Sequence, residues 1–409
     1  MADLEPRSPL RQRPIVALVA AEVVSTIGSQ MTFLALPWFV LQTTGSPTRM
    51  GVVLAVELAP IAILGIPSGT VVSRWGARFT MIVSDFARAP LLASIPILHA
   101  LGWLTFPLLL VLVALIGVFL APYFASQRLI LPELVGDDEP TVAKANAVIE
   151  GAQRATSLLG PASAGLLIAA FSAPTVLYVD AATFLCSFLL LALFVPKRPP
   201  LAPSAEGGGV LAGIRFVLND RLLRVLGGTA LVTNGLGQML SAGLTVLAYE
   251  EYGSSRVAGA FFAAFGAGAV FGSIAAMRIV ERFDPLRLGS AAFVALTLPI
   301  FVLAVDVPVP VVMLALAVSS FFSPLVNAPL IGVITMRTPV ALRAKVMTAV
   351  ITTAMLAGPL GMAIAGPLLE SWGPRHVFLL VASGQVLATI PFALVAFGAT
   401  QSTEPVAET

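Results

Sequence analysis

Twelve times along this chain, charge all but disappears for roughly 20 residues, the length at which an α-helix crosses the apolar core of a bilayer. The runs cover approximately 14–41, 50–72, 79–99, 104–127, 145–171, 174–195, 222–248, 256–279, 286–305, 309–335, 344–370 and 375–398. A soluble fold of 409 residues has no interior large enough to hide that much apolar surface. Hydrophobic residues make up 58% of the chain and charged ones 11%, against roughly 45–50% and 25% in soluble domains. A membrane β-barrel would alternate apolar and polar residues over segments of about ten, a pattern the chain does not show. The sequence therefore predicts an all-α polytopic membrane protein of twelve transmembrane helices.

Orientation follows from the basic residues, because loops rich in Lys and Arg stay in the cytoplasm. Of the 23 lysines and arginines, eighteen fall in one set of alternate loops, from Arg7, Arg11 and Arg13 through Arg74, Arg78 and Arg128 to Arg337, Arg343 and Lys345. The opposite set holds only Arg49, Arg256 and Arg375, and Arg88 and Arg154 lie within runs. Both termini are expected in the cytoplasm. The Arg-flanked first run is too long for a signal peptide and reads as a retained helix. A net charge of +2 gives no reason to expect nucleic acid as a partner. The single cysteine, Cys186, excludes an internal disulfide, and no His, Cys or carboxylate set has metal-ligand spacing. No phosphate-binding loop is present, so ATP is not the direct energy source.

The longest connection, after Pro196-Lys197-Arg198, contains Gly207-Gly208-Gly209 and reads as a flexible linker. The stretch behind it, 210–226, mixes Leu, Ile and Phe with Arg215, Asp220, Arg221 and Arg224, as a short interfacial helix would. Three features recur at an offset of about 200 residues: Ala143-Lys144 with Ala344-Lys345, Gly160-Pro161 with Gly358-Pro359, and Pro174 with Pro374. Parallel internal repeats of this kind are a transporter architecture. The expected division is a six-helix bundle at 1–198, a linker at 199–221 and a second six-helix bundle at 222–409, the two bundles being pseudo-symmetric.

A charge at the centre of a membrane helix costs about 2.5–3.5 kcal/mol on insertion scales. Glu22, Glu57, Asp85, Arg88, Glu150, Arg154 and Asp180 all lie within runs, and all belong to the first half. Proton coupling is therefore expected there, with Glu22, Glu150, Glu57, Arg154 and Asp180 as candidates and Glu22 ranked first. Glu22 sits about 12 Å into its run and Asp180 about 9 Å into its own, at about 1.5 Å per residue, and Asp180 fits equally a role in helix packing. Glu150 and Arg154, four apart, can pair along one helix face, as can Asp85 and Arg88, three apart; for the latter pair a purely structural role is preferred.

Glu22, Thr26, Ser29, Gln30 and Phe33 share one face of the first run, and Asn234, Gln238, Ser241 and Thr245 share one face of the seventh. Tyr123 and Gln127 close the fourth run, and Ser319, Ser323 and Asn327 mark the tenth. These stripes suggest a wet cavity lined by Glu22, Thr26, Gln30, Phe33, Tyr123, Gln127, Asn234, Gln238, Ser323 and Asn327. The competing reading, hydrogen bonding between helices, is preferred for the serines and threonines. The pairs Gly65-x-x-x-Gly69 and Gly268-x-x-x-Gly272 predict close backbone approach.

In these residues the chain resembles the major facilitator superfamily. Gly69, Ser73, Arg74, Gly76 and Arg78 lie where that superfamily carries its cytoplasmic gate motif, with Ser73 in place of the usual Asp, and Arg128 is expected to belong to the same gate. Arg128, Pro132-Glu133, Asn146 and Gly160-Pro161 with Gly165 are similar to the branch of macrolide-efflux and enterobactin-exporter proteins. The Gly160, Pro161, Gly165 element resembles the fifth-helix motif of drug/proton antiporters. Thr44-Gly45-Ser46, Gly213-Ile-Arg215-Phe216 and Met336-Arg337-Thr338-Pro339 also fit that branch, and Ser29 departs from it, many relatives being acidic there. The resemblance implies alternating access by two rocking bundles in a bacterial inner membrane. The expected activity is proton-coupled efflux of a small amphipathic compound. The alternative is export of a siderophore, metabolite or lysolipid on the same fold. A membrane enzyme and a non-transporting sensor are less consistent with the pattern. The expected partners are the small-molecule substrate, protons and lipids, for a monomer without cofactor or metal.

Overall fold

The computed structural model describes residues 13–127, 129–135, 139–198, 210–339 and 342–401. Arg7, Arg11, Arg128 and the Gly207-Gly208-Gly209 segment lie outside these residues. The described chain is all helical: α1 Arg13–Thr44, α2 Pro47–Trp75, α3 Ala77–Ala100, α4 Phe106–Gln127, α5 Ile130–Val135, α6 Glu139–Ala170 and α7 Ala173–Phe194 in the first half. The second half contains α8 Val210–Asn219, α9 Arg221–Glu250, α10 Ser255–Ile279, α11 Pro285–Thr297, α12 Val309–Phe321, α13 Ser323–Arg337 and α14 Arg343–Gln401. Among the described residues, ten stretches are long and apolar enough to cross a membrane, the last running Lys345–Val395. The α6 helix is not among the ten, its first half carrying Lys144, Glu150 and Arg154.

Local chemistry sets the ends. Ser46 accepts from Arg49 N at 3.2 Å ahead of Pro47, and Asp284 accepts from Leu286 N and Arg287 N at 3.1 and 2.9 Å ahead of Pro285. Both are a polar N-cap followed by a proline whose missing N–H costs nothing at that position. Asp220 caps α9 through Leu223 N at 2.9 Å, so the segment read as one interfacial helix over 210–226 is two helices that part at Asp220.

Prolines explain the other departures from the twelve predicted runs. The ninth run, 286–305, is α-helical only to Thr297 and tightens to a 3-10 helix over Leu298–Ala304, where Pro299 has no N–H to give. The tenth run, 309–335, breaks at Phe322, immediately before Ser323-Pro324. The last two runs join as α14, whose one non-helical residue is Gly373 at φ 76° and ψ 165°. Only glycine occupies that region without strain, and Pro374 then starts the final stretch.

The chain falls into two compact units, Met1–Ala205 with Gly253–Gly259, and Glu206–Tyr252 with Ala260–Thr409. In the first unit α1 packs on α2, α6 and α7, α2 on α4, and α3 on α4 and α7. Leu18, Met81, Ile130 and Leu191 belong to its core. In the second unit α9 packs along α14, α11 meets α13 and α14, and α8 lies on α14. Leu222, Leu226, Val346 and Phe392 form one core there, and Phe293, Leu325 and Val326 another.

The two small-residue pairs behave differently. A side chain at Gly268 or Gly272 would collide with the α12 backbone at Ala317 or Phe321. Gly65 and Gly69 have nothing within 4 Å of such a side chain among the described residues. The expectation of close approach is therefore corrected for Gly65 and Gly69: the spacing puts both on one face, and that face carries no tight helix contact.

Candidate functional site

Among the described residues four charged side chains are fully buried: Glu22, Asp85, Arg88 and Asp180. They come from α1, α3 and α7 of the first unit, and so from helices far apart in sequence. Arg88 Nη2 lies 2.5 Å from Asp85 Oδ1, and Ser187 Oγ on α7 donates to Asp85 Oδ2 at 2.6 Å. The guanidinium sits 4.2 Å from the centre of the Phe184 ring and 4.5 Å from that of Tyr123. Aromatic faces attract a cation, and more strongly where water is excluded. Asp85 thus has a partner at each oxygen, and Arg88 replaces part of its lost hydration with two rings.

Glu22 is different. It is 2% exposed, and among the described residues neither carboxyl oxygen meets a hydrogen-bond donor. It borders a narrow cleft with Val23, Ile149, Ala152 and Gln153, on the α1–α6 side of the unit. Its electrostatic neighbour is Asp85, and the Tyr123 hydroxyl feels Glu22, Asp85 and Arg88 together. Asp180 takes a third arrangement. Thr32 Oγ1 on α1 donates to its Oδ2 at 2.5 Å, and Thr183 Oγ1 reaches its Oδ1 at 3.0 Å. Gly28 lies so close that a side chain there would overlap Asp180 Oδ1 and Thr183 Oγ1.

The structure gathers Glu22, Tyr123 and Asp180 into this buried cluster and adds Asp85 and Arg88, which the sequence marks only as a possible pair. Glu57 is half-buried on α2 and stands as a like charge toward Asp180. Glu150 and Arg154 are exposed on α6, next in the chain to Ile149 and Gln153, which line the cleft beside Glu22. Thr26, Gln30 and Gln127 are half-buried, and Phe33 is 38% exposed. Gly160 is pressed on Gln30, Pro161 is buried, and Gly165 O accepts from Ser255 Oγ at 3.0 Å.

In the second unit Ser319 Oγ donates between helices, to Leu296 O at 2.7 Å, whereas Asn234, Ser241 and Asn327 bond within their own helices. Asn234 Nδ2 donates to Ala230 O at 2.8 Å, Ser241 Oγ to Gly237 O at 3.2 Å, and Asn327 Nδ2 meets Ser323 Oγ at 3.4 Å. Gln238 is half-buried. Of the gate residues, Arg74 is exposed, while Arg78 donates to Val195 O at 2.5 Å and to Ala192 O at 2.8 Å, at the end of α7. No group of three or more His, Cys, Asp or Glu among the described residues is arranged to hold a metal.

The comparisons with known proteins agree with a transport fold. The Major Facilitator Superfamily matches residues 18–246 and 228–408. The multidrug efflux pump Tap of Mycolicibacterium fortuitum is 27% identical over 389 residues, covering 92% of this chain and 94% of that protein. The staphyloferrin A transporter of Staphylococcus aureus is 22% identical over 212 residues, 51% of each chain. The crystal structure of the nucleoside transporter NupG superposes with a TM-score of 0.77 at 13% identity, covering 94% of this chain and 99% of that one, a likeness of fold. The fold is one of transport and not of catalysis, and the chain is a multi-pass bacterial membrane protein related to multidrug-efflux-type transporters. It carries out secondary-active transport of a small molecule and belongs to the Major Facilitator Superfamily.

Proposed function

We propose that this chain exports a small organic compound in exchange for protons, with Glu22 as the proton-binding carboxyl. The observation that carries the reading is the fully buried Glu22 carboxyl, which has no hydrogen-bond partner among the described residues. An ionised, unpaired carboxylate at that depth is costly, and a neutral one is not. A group that is neutral when closed off and ionised when wetted moves a proton if its access to water alternates between the two sides. Twelve helices in two six-helix bundles, with both termini in the cytoplasm of an inner membrane, would provide that alternation.

The cargo we propose is amphipathic and drug-like, in line with the similarity to Tap over 92% of the chain. A second reading, a siderophore, metabolite or lysolipid, is favoured by the similarity to the staphyloferrin A transporter. The polar positions Thr26, Gln30, Gln127, Asn234, Gln238, Ser323 and Asn327 are the proposed substrate contacts under either cargo. Arg74, Gly76 and Arg78 are the proposed gate loop. In proteoliposomes with an imposed pH gradient, a panel of both compound classes identifies the cargo. Glu22→Gln keeps the shape and cannot titrate; it abolishes gradient-driven accumulation and leaves substrate exchange in place. Wild-type pumping by Glu22→Gln would show that coupling lies elsewhere.

A further inference from the structure

We infer that Asp180 is a second proton-binding carboxyl, neutral in the closed unit alongside Glu22, and that Asp85 is the one buried acid there that stays ionised. The four fully buried charged side chains among the described residues are three acids and one base. Burying an ion is tolerable only with a well-placed counter-ion, and one guanidinium can neutralise one carboxylate. Geometry gives Arg88 to Asp85: the two are in direct contact, the other Asp85 oxygen is held by Ser187, and the guanidinium packs on Phe184 and Tyr123. Glu22 and Asp180 are left without a cation of their own.

The surroundings of Asp180 suit a neutral acid. The charged groups that face it are Glu57 from α2 and Asp85 and Arg88 from α3, so two of the three are acidic. The α1 helix contributes Thr32 and the backbone at Gly28, and α7 itself contributes Thr183. No charged group of α6, also packed on α7, reaches it among the described residues. A hydroxyl both donates and accepts, so Thr32 and Thr183 satisfy Asp180 in either protonation state. Glycine at position 28 lets α1 close directly over the carboxyl and exclude water. When the unit opens to water, an O–H bond of Asp180 breaks and the proton leaves with water. On the other side of the cycle a proton from water restores it. A cycle that wets both Glu22 and Asp180 then carries up to two protons.

Infrared spectroscopy of the purified full chain reads neutral carboxyls directly, during a titration from acid to alkaline pH. Above the ordinary carboxylate range two carboxylic C=O bands are expected to persist: one from Glu22 at the position of an unbonded acid, and one from Asp180 shifted down by its hydrogen bonds. Glu22→Gln removes the first, Asp180→Asn the second, and the double variant both. Thr32→Val, which keeps the carboxyl and suits a case where Asp180→Asn misfolds, moves the second band and leaves the first. An Asp180→Asn spectrum superimposable on wild type, or a Thr32→Val spectrum with no band displaced, overturns the inference. The inference rests on reading the first unit as the proton-binding half, yet its test counts protons whether or not the chain pumps. A failure of Glu22→Gln to affect accumulation is therefore a separate result.

Discussion

Both carboxylate oxygens of Glu133 lie within hydrogen-bond reach of the backbone N–H of Ala77, at 3.1 and 3.2 Å. Ala77 opens α3, and its N-cap, Gly76, has no side chain with which to cap the helix. The cap is therefore delivered from α5, 56 residues further along the chain. Ser73 Oγ donates to Thr70 O at 2.9 Å, within its own helix.

Removing that cap has a defined cost. Glu133→Ala should lose about 1 kcal/mol, the usual value of an N-cap, and Ser73→Ala should stay within about 0.5 kcal/mol of wild type. Thermal unfolding in detergent measures both. Burial pushes the Glu133 carboxyl up, with the bonds from Ala77 and Arg78 N–H pulling the other way. For an acid raised on folding, the folded chain holds the proton more tightly, so the contribution is present at low pH and is lost as pH rises through the folded value. The stability of wild type relative to Glu133→Gln should therefore decline as pH climbs through the carboxylate range. A difference that grows with pH would contradict this.

Gly76 and Arg78 should matter for separable reasons. Gly76 has φ 81° and ψ 150°, a region open essentially to glycine alone. Gly76→Leu should cost about 1–3 kcal/mol and reduce transport. Arg78 holds the last carbonyls of α7, so Arg78→Leu leaves Ala192 O and Val195 O without that donor, and Arg78→Lys restores part of the loss. Arg74 is exposed, and Arg74→Ala should leave unfolding unchanged. Any loss of transport in Arg74→Ala then reports on gating and not on folding. Normal transport by Gly76→Leu would remove the loop from the mechanism.

Breaking the Asp85–Arg88 pair from one side should be far more damaging than removing it whole. Arg88→Met strands a carboxylate that is 0% exposed, and removing one partner of a buried pair costs about 3–5 kcal/mol. Adding Asp85→Asn to Arg88→Met should recover most of that stability. A double-mutant cycle with no coupling between the two positions would show that the pair contributes nothing to the fold.

Orientation is testable with single cysteines in a Cys186→Ser background, since Cys186 is exposed. The eighteen-to-three bias of basic residues predicts Ser254 outside and Gly208 inside. A membrane-impermeant thiol reagent applied to intact cells should label Ser254→Cys and not Gly208→Cys. The reverse labelling would invert the topology.

Much of the helical layout was legible because the bilayer turns apolar length into structure, and prolines such as Pro299 and Pro324 account for the two runs that tighten or break. The site was legible only in part. Asp85–Arg88 and Glu150–Arg154 look alike as sequence, yet the first pair is buried and the second is exposed. Spacing tells which side chains share a helix face; it does not tell whether that face meets Phe184, Tyr123 and Ser187 or the surface. Those partners come from other helices, which no local pattern reports. Asp180 was visible as a charge in an apolar run, but Thr32 and Gly28, which close over it, lie about 150 residues earlier. Glu133 was visible in the Pro132-Glu133 element, which gave no sign that its carboxylate would reach the backbone N–H of Ala77.

The same limit makes the two small-residue pairs a sharp comparison. Gly268 and Gly272 sit where α10 touches the α12 backbone, and there Ser320 Oγ also donates across the contact to Phe265 O at 2.6 Å. Gly272→Ala must separate the helices at Phe321 and stretch that bond, at a cost of about 1–3 kcal/mol, typical of overpacking. Gly69 is helical and open, so Gly69→Ala meets nothing and removes a flexible residue from a helix interior, a gain of roughly 0.5–1 kcal/mol. The two substitutions add the same methyl group at the same place in the same sequence pattern, and unfolding midpoints should move in opposite directions. Equal effects would mean that the tight α10–α12 contact does not persist in the membrane. A loss of transport in a stable Gly69→Ala protein would mean that this face acquires a partner at another stage of the transport cycle.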